Sequence, residues 1–254
     1  MSDVHGNLLA LEAVLADGKD RGVDLWVCAG DLVNYGPRPV EAVSAVRDVA
    51  SLCVKGNRDL ECVLGDESRI VVPEGRDADV EKEAFRWTLG RMDRRSLEYL
   101  ASLPIRAALG RLALFHASPW SPYQYLRAED VASTASSIVG ALDAMVYCFG
   151  HTHVPYVHCR LGRVFINAGS CGKPKDGDPR ASYAVVDLDA ETSDSAAVSG
   201  RHGAGVRAEI VRVAYDARLV AEEMVRFGLP DSLAAAIISG REAQRSSAAT
   251  HQSH

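Results

Sequence analysis

The sequence predicts an α/β fold, on three observations. Short apolar runs alternate with stretches of helical periodicity, the pattern of strands and helices taken in turn. Several of those runs end on a residue that can hold a metal ion. The chain has 254 residues, 47% of them apolar, enough for one large domain with a sizeable core. One domain is expected over 1–240, with 190–206 as a flexible insertion or hairpin tip. Residues 241–254 are expected to be a disordered tail.

Residues 6–18 read as a helix, because Leu8, Leu11, Val14 and Leu15 recur at helical spacing and Asn7 can cap. Residues 23–29 form a buried strand that ends at Gly30-Asp31. Val40, Val43 and Val46 share one face of a helix over 39–49. A strand over 52–55 ends at Gly56-Asn57. Residues 66–80 carry little pattern and read as loop, followed by helices over 80–92 and 94–102. Strands over 112–115 and 145–149 flank a helix over 128–142 and end at His116 and at Gly150-His151. Strands over 163–166, 182–188 and 211–214 follow. A helix over 216–227 is broken by Gly228-Leu229-Pro230, and Asp231 is expected to cap the last helix, to about 239.

The formal net charge is -6, which argues against a nucleic-acid surface, since that needs a basic patch. No apolar run approaches the roughly 18 residues of a membrane span, and no signal peptide is evident. The six cysteines form no CxxC pair or zinc module. Cys28, Cys53 and Cys148 sit in apolar runs as small hydrophobes. A reduced, cytoplasmic protein follows as the expectation.

Seven metal-capable side chains stand out: Asp3, His5, Asp31, Asn57, His116, His151 and His153. Each Gly-Asp or Gly-Asn pair by itself signals a turn, and a lone histidine signals little. Their joint occurrence at strand ends is what points to one metal site on a sheet edge. Carboxylate, imidazole and amide oxygen without thiolate suit a hard or borderline divalent cation. Seven ligands exceed one site but fill two that share a carboxylate. Asp31, midway in the series and preceded by glycine, is the natural bridge. His158, His202, His251 and His254 lack such context.

The series Asp3-Val4-His5-Gly6-Asn7, Gly30-Asp31, Gly56-Asn57-Arg58-Asp59, His116 and Gly150-His151-Thr152-His153 resembles the calcineurin-like metallophosphoesterase superfamily, in its bacterial and archaeal stand-alone phosphodiesterase branch. Asn34-Tyr35-Gly36-Pro37, Asn167-Ala168-Gly169-Ser170 and the 176–183 stretch fit the same branch. The resemblance runs from residue 2 to about 240. It implies a four-layer αββα sandwich, two mixed sheets flanked by helices. It implies one metal held by Asp3, His5, Asp31 and His153, and a second by Asp31, Asn57, His116 and His151. Mn²⁺ is the first expectation, with Fe or Zn as alternatives. The implied activity is hydrolysis of phosphodiester or nucleotide-type phosphoanhydride bonds by a hydroxide that two metals activate.

Two departures from the family pattern stand out. The usual histidine at position 58 is Arg58, which stays charged and cannot act as a general acid. It is expected to bind phosphoryl oxygen, held by Asp59, so Arg58, Asp59 and Asn57 are the candidate catalytic residues. The family also places a buried strand of roughly five to seven residues before the Asp-x-His pair. Here the first strand is expected to be truncated, which loosens Asp3 and His5: either the natural start lies upstream or metal one is weakened.

Protein phosphatases of the superfamily carry arginines after Gly-Asp and before Gly-Asn, where this chain has Leu32 to Tyr35 and Lys55. A small nucleotide-like substrate is therefore expected, touched by Asn34, Tyr35, Arg58 and Arg180. Tyr35 is expected to stack on a base, and Trp120, Tyr123 and Tyr125 to form another wall. The alternatives are a metal-stabilised regulatory or binding module with weak catalysis, and a protein-phosphatase-like phosphomonoesterase. Turnover of a nitrophenyl diester, or of a phosphopeptide, separates them. The sequence leaves the oligomeric state open.

Overall fold

The structure, a computed structural model, describes residues 1–73, 75–189, 201–202 and 205–242. Two expectations, the 190–206 insertion and the 241–254 tail, lie largely outside these residues.

In chain order the helices are α1 (Leu8–Asp20), α2 (Pro39–Val49), α3 (Asn57–Leu64), α4 (Ala78–Leu89), α5 (Arg94–Ser102), α6 (Val131–Ala141), α7 (Ala217–Arg226) and α8 (Asp231–Ser239). The strands are β1 (Trp26–Cys28), β2 (Ala50–Cys53), β3 (Arg106–Leu109), β4 (Leu112–Phe115), β5 (Val146–Phe149), β6 (Tyr156–Arg160), β7 (Arg163–Asn167), β8 (Ala181–Asp187), β9 (Arg201–His202) and β10 (Val206–Val213).

Local chemistry sets most helix ends. Asn7 Oδ1 accepts the Ala10 N–H, and Asp77, Asp93 and Asp216 cap α4, α5 and α7 in the same way. Pro39 sits at the first position of α2, where it forgoes no helical bond. Pro230, not Asp231, is the residue before α8, so the expected Asp231 cap shifts into the first turn.

Besides β9, which falls within 190–206, three elements escape the sequence pattern. Helix α3 starts on Asn57 itself and is only eight residues long. Strands β3 and β6 lie at opposite edges of a five-stranded sheet of order β3-β4-β5-β7-β6. Edge strands are partly exposed, so neither shows a clean apolar run. β4, β5 and β7 run parallel through its centre, and β3 and β6 are antiparallel to their neighbours.

Three cores stack these elements into four layers. Leu11 and Val14 of α1, Val43 and Val46 of α2 and Leu100 of α5 pack against Cys28, Cys53 and Tyr183. Leu114, Val146 and Ile166 meet Val54 and Ala208 between the sheets. Phe115, Tyr147 and Phe165, on the other face of the central strands, pack under Val131, Ala135 and Ile138 of α6. Strands β4 and β5 are buried at every position, as strands covered on both faces must be. This is the αββα sandwich that the resemblance implies.

The second sheet is divided. β1 and β2 pair in parallel, and β8, β10 and β9 form an antiparallel group. Residues 1–4 join the two pieces. Met1 O and Gly30 O accept N–H groups from Ala29 and Asp3, while Ser2 O and Asp3 O accept from Cys171 and Gly172. A groove of about 740 Å³ continues beyond Met1 between β1 and β8. The expected loosening of Asp3 and His5 is not what the structure has. His5 N also donates to Asp31 O, and both side chains are no more than 1% exposed.

Candidate metal centre

The seven candidate ligands converge at the C-terminal ends of β1, β2, β4 and β5, joined there by residues 3–5. Asp3, His5 and His153 form one buried cluster, and Asp31, His116 and His151 another; within each, the ligand atoms lie within 4.8 Å of one another. Asp31 Oδ2 stands 3.8 Å from His5 Nε2 and 3.4 Å from His116 Nε2, so it faces both. Asn57 Oδ1 is 3.2 Å from His116 Nε2.

The backbone at these positions is bent to its task. Of the eight non-glycine residues with positive φ among the described residues, five are Asp3, His5, Asp31, His151 and His153. Such conformations cost about 1–3 kcal/mol each and persist where the surroundings impose them. Two glycines permit the close approach. A Cβ on Gly150 would lie 2.2 Å from Asp3 Oδ2, and one on Gly56 would lie 2.0 Å from Asp31 Oδ1.

The donor set fits divalent cations because each of the aspartate and histidine candidates has one atom spoken for and one left over. The Ser2 hydroxyl and the His151 N–H donate to Asp3 Oδ2, while Asp3 Oδ1 is buried with no hydrogen-bond partner. The Arg58 N–H donates to Asp31 Oδ1, which leaves Oδ2 facing inward. His5 Nδ1 lies against Val33 O, His116 Nδ1 against Ala29 O, His153 Nδ1 against Lys173 O and His151 Nε2 against Tyr123 O. Each carbonyl takes the ring N–H, and the other nitrogen turns a lone pair inward. His5 Nε2 and His153 Nε2 then face each other at 3.2 Å, as do His116 Nε2 and His151 Nδ1. Two lone pairs cannot bond each other; a cation between them resolves the contact.

Electrostatics agree. Burial holds His5 down to about 3 and keeps His151 and His153 well below the usual imidazole range, so they remain neutral ligands. Burial opposes charge on His116 too, yet the Asp31 carboxylate beside it pushes His116 up to about 10. The Asp31 carboxylate thus favours a positive charge at the His116 ring.

Several substrate expectations require correction. Arg58 lines the cleft but is 4% exposed, and its guanidinium is spent on Glu61 at 2.7 Å and Glu81 at 2.8 Å. The expected Arg58–Asp59 pair does not form. Asp59 instead accepts N–H groups from Asp31, Leu32, Val33 and Gly56, which pins the turn that aims Asp31. Asp59→Ala would orphan those buried donors and is expected to cost about 3 kcal/mol, measured as a fall in the denaturant midpoint. A loss below about 1 kcal/mol would mean that water takes the carboxylate's place.

Tyr35 is 2% exposed, and its hydroxyl donates to Glu81. Its ring is covered by Lys173, Arg58 and Arg76, so no base can stack on it. Asn34 is buried behind the cleft, where Thr88 donates to its Oδ1. Arg180 is exposed, forks onto Asp178 and does not line the cleft. Tyr123 and Tyr125 do line it, with the Tyr125 ring 4.3 Å from that of His151; Trp120 is half exposed and does not. The pattern missed Arg76, Glu81 and Lys175. Arg76 lies in the 66–80 stretch expected to be loop, and Lys175 precedes Arg180, the residue expected to touch substrate, in one charged stretch.

A family model described as the calcineurin-like phosphoesterase superfamily domain matches residues 1–191. An uncharacterized protein of Methanocaldococcus jannaschii is 32% identical over 95% of this chain and 97% of its own length. The phosphodiesterase YfcE of Escherichia coli is 29% identical over 74% of this chain and 85% of its own. The crystal structure of a metallophosphoesterase from Sphaerobacter thermophilus superposes with a TM-score of 0.73 and 32% identity, over 94% and 97% of the two chains. The ligand-bearing strand ends and these matches point one way: the chain belongs to the calcineurin-like phosphoesterase superfamily.

Proposed function

We propose that the protein is a dimetal phosphoesterase that cleaves phosphodiester or nucleotide-type phosphoanhydride bonds. The observation that carries this is the pair of buried ligand clusters facing one Asp31 oxygen. The phosphodiesterase activity named for YfcE, similar over 74% of this chain, supports it. Asp3, His5 and His153 would hold one cation, and Asn57, His116 and His151 the other, with Asp31 shared. When bound, such a pair would lower the pKa of a nearby water toward neutrality and would neutralise charge on phosphoryl oxygens. Mn²⁺ suits this nitrogen and oxygen set.

The chain's own groups do the rest. The backbone carbonyls of Val33, Ala29, Tyr123 and Lys173 hold four imidazole rings in one tautomer and orientation. Tyr123 and Tyr125 wall the opening and present the apolar surface a base or aryl ester would meet. Arg58 stays protonated, so position 58 offers no acid to the leaving oxygen. Esters with good leaving groups are therefore the favoured substrates.

The test is chelation. Treatment with a chelator is expected to reduce bis(p-nitrophenyl) phosphate turnover to background, and added Mn²⁺ to restore it. Hydrolysis that resists the chelator would overturn the proposal.

A further inference from the structure

A second charged cluster lies beside the metal cleft, and the function above does not use it. Arg76, Lys173 and Lys175 converge on one carboxylate, that of Glu242. Lys173 Nζ is 2.7 Å from Glu242 Oε1, Lys175 Nζ is 3.3 Å from Oε2, and Arg76 pairs with Oε2 as well. Lys173 is 1% exposed and Arg76 8%.

The surroundings are rich in positive charge. Arg58 and Arg76 share Glu81, and Arg58 also holds Glu61. Four cations thus face three carboxylates, and one of the three arrives from the C-terminal segment. Buried like charges repel strongly unless an anion sits among them. Two ammonium groups and a guanidinium around a pair of oxygens are also the donors that a phosphoryl group attracts.

Position gives the cluster a role. Arg76 and Lys175 line both the metal cleft and an adjoining cavity of about 930 Å³, and Glu242 stands on that cavity's wall. The carbonyl of Lys173 faces His153 Nδ1, so an anion held here lies one side chain from the metal centre. Glu242 belongs to no element. It follows Gly240, which ends α8 in the left-handed conformation and whose carbonyl accepts the Gly177 N–H at 2.8 Å.

We propose that Arg76, Lys173 and Lys175 form a second anion subsite for a phosphoryl group beyond the scissile one, and that Glu242 fills it until substrate displaces it. This rests on the phosphoesterase function proposed above. It narrows the substrate to molecules with at least two phosphoryl groups, the phosphoanhydride class. Tyr125, which also lines both spaces, would meet the organic part of such a molecule.

Calorimetric titration of the full chain, with Mn²⁺ in excess over ligand, tests the subsite. The probes are inorganic phosphate, which needs the metal centre alone, and methylenediphosphonate, a two-phosphoryl probe with no hydrolysable P–O–P bond, which spans both sites. The readout is the preference for the diphosphonate, the Kd for phosphate divided by the Kd for methylenediphosphonate. Glu242→Gln is expected to raise that preference at least tenfold, and Lys175→Gln to lower it at least tenfold. An unchanged preference in both variants, or no diphosphonate binding in parent and Glu242→Gln, overturns the subsite. A Glu242 that only ties down the C-terminal segment would lower thermal stability without moving the preference, which also overturns it. Shifted preferences in a chain with no Mn²⁺-dependent hydrolysis of either a phosphodiester or a phosphoanhydride would leave the subsite standing and remove the hydrolytic function instead.

Discussion

Asp31→Asn is expected to lower kcat/KM for bis(p-nitrophenyl) phosphate by at least ~10³-fold, the scale set by loss of a preorganised charge at a reacting phosphoryl group. The carboxylate is nearly isosteric with the amide, so the fold should survive. Asp31 Oδ1 accepts the Arg58 N–H while Oδ2 faces His5 and His116. An amide can serve one of those edges as an acceptor but not both, and it brings no charge. Two consequences should appear together in steady-state kinetics and in metal analysis of the same sample: turnover falls, and bound Mn²⁺ per chain falls. A variant within tenfold of the parent rate would show that Asp31 is not shared between two cations.

Arg58→Met is expected to destabilise the protein by about 3–5 kcal/mol, because it removes one partner of a buried charge network and leaves the others. Arg58 reaches Glu61 and Glu81 with both terminal nitrogens and is 4% exposed. Methionine fills much of the volume but leaves the Glu61 carboxylate with the Val71 N–H as its remaining neighbour in that bond set. Glu81 keeps Arg76 and Tyr35. For a chain of this size the loss corresponds to roughly 10 °C in Tm. Chemical denaturation checks it, and a change below about 1 kcal/mol would mean that water screens the pair. The same position that departs from the family pattern thus acts first on folding, and on the cleft through what it holds.

Most of the candidate ligand set was legible in the sequence because Asp31, Asn57, His116 and His151 each follow a strand or a glycine turn, and strand ends place residues on one edge whatever the details of packing. Asp31 after β1, Asn57 after β2, His116 after β4 and His151 after β5 all fall where an apolar run stops. The substrate side was not legible. Asn34 and Tyr35 follow Asp31 closely in sequence, yet both have positive φ and turn inward to Thr88 and Glu81. Arg180 and Lys175 are five positions apart in one charged stretch. Which of them enters the cleft depends on the loop that carries them, and composition does not encode that.

Of the N-terminal expectations, the loosening of Asp3 and His5 is the one the structure does not have, for a related reason. A short segment looks unanchored when judged by the number of residues before Asp3. Its hydrogen bonds go to β1 on one side and to residues 171 and 172 on the other, and these partners are remote in sequence.

By itself the sequence determined the α/β class, the positions of most elements and the seven side chains that share a sheet edge. Periodicity and turn chemistry are local and survive without knowledge of packing. Only the tertiary structure decided that Asp59 serves the backbone, that Arg58 is buried between two glutamates, and that Glu242 sits among Arg76, Lys173 and Lys175. Each of these sets a buried carboxylate against donors, and donors and acceptors pair with whatever the fold brings near, not with what lies next along the chain.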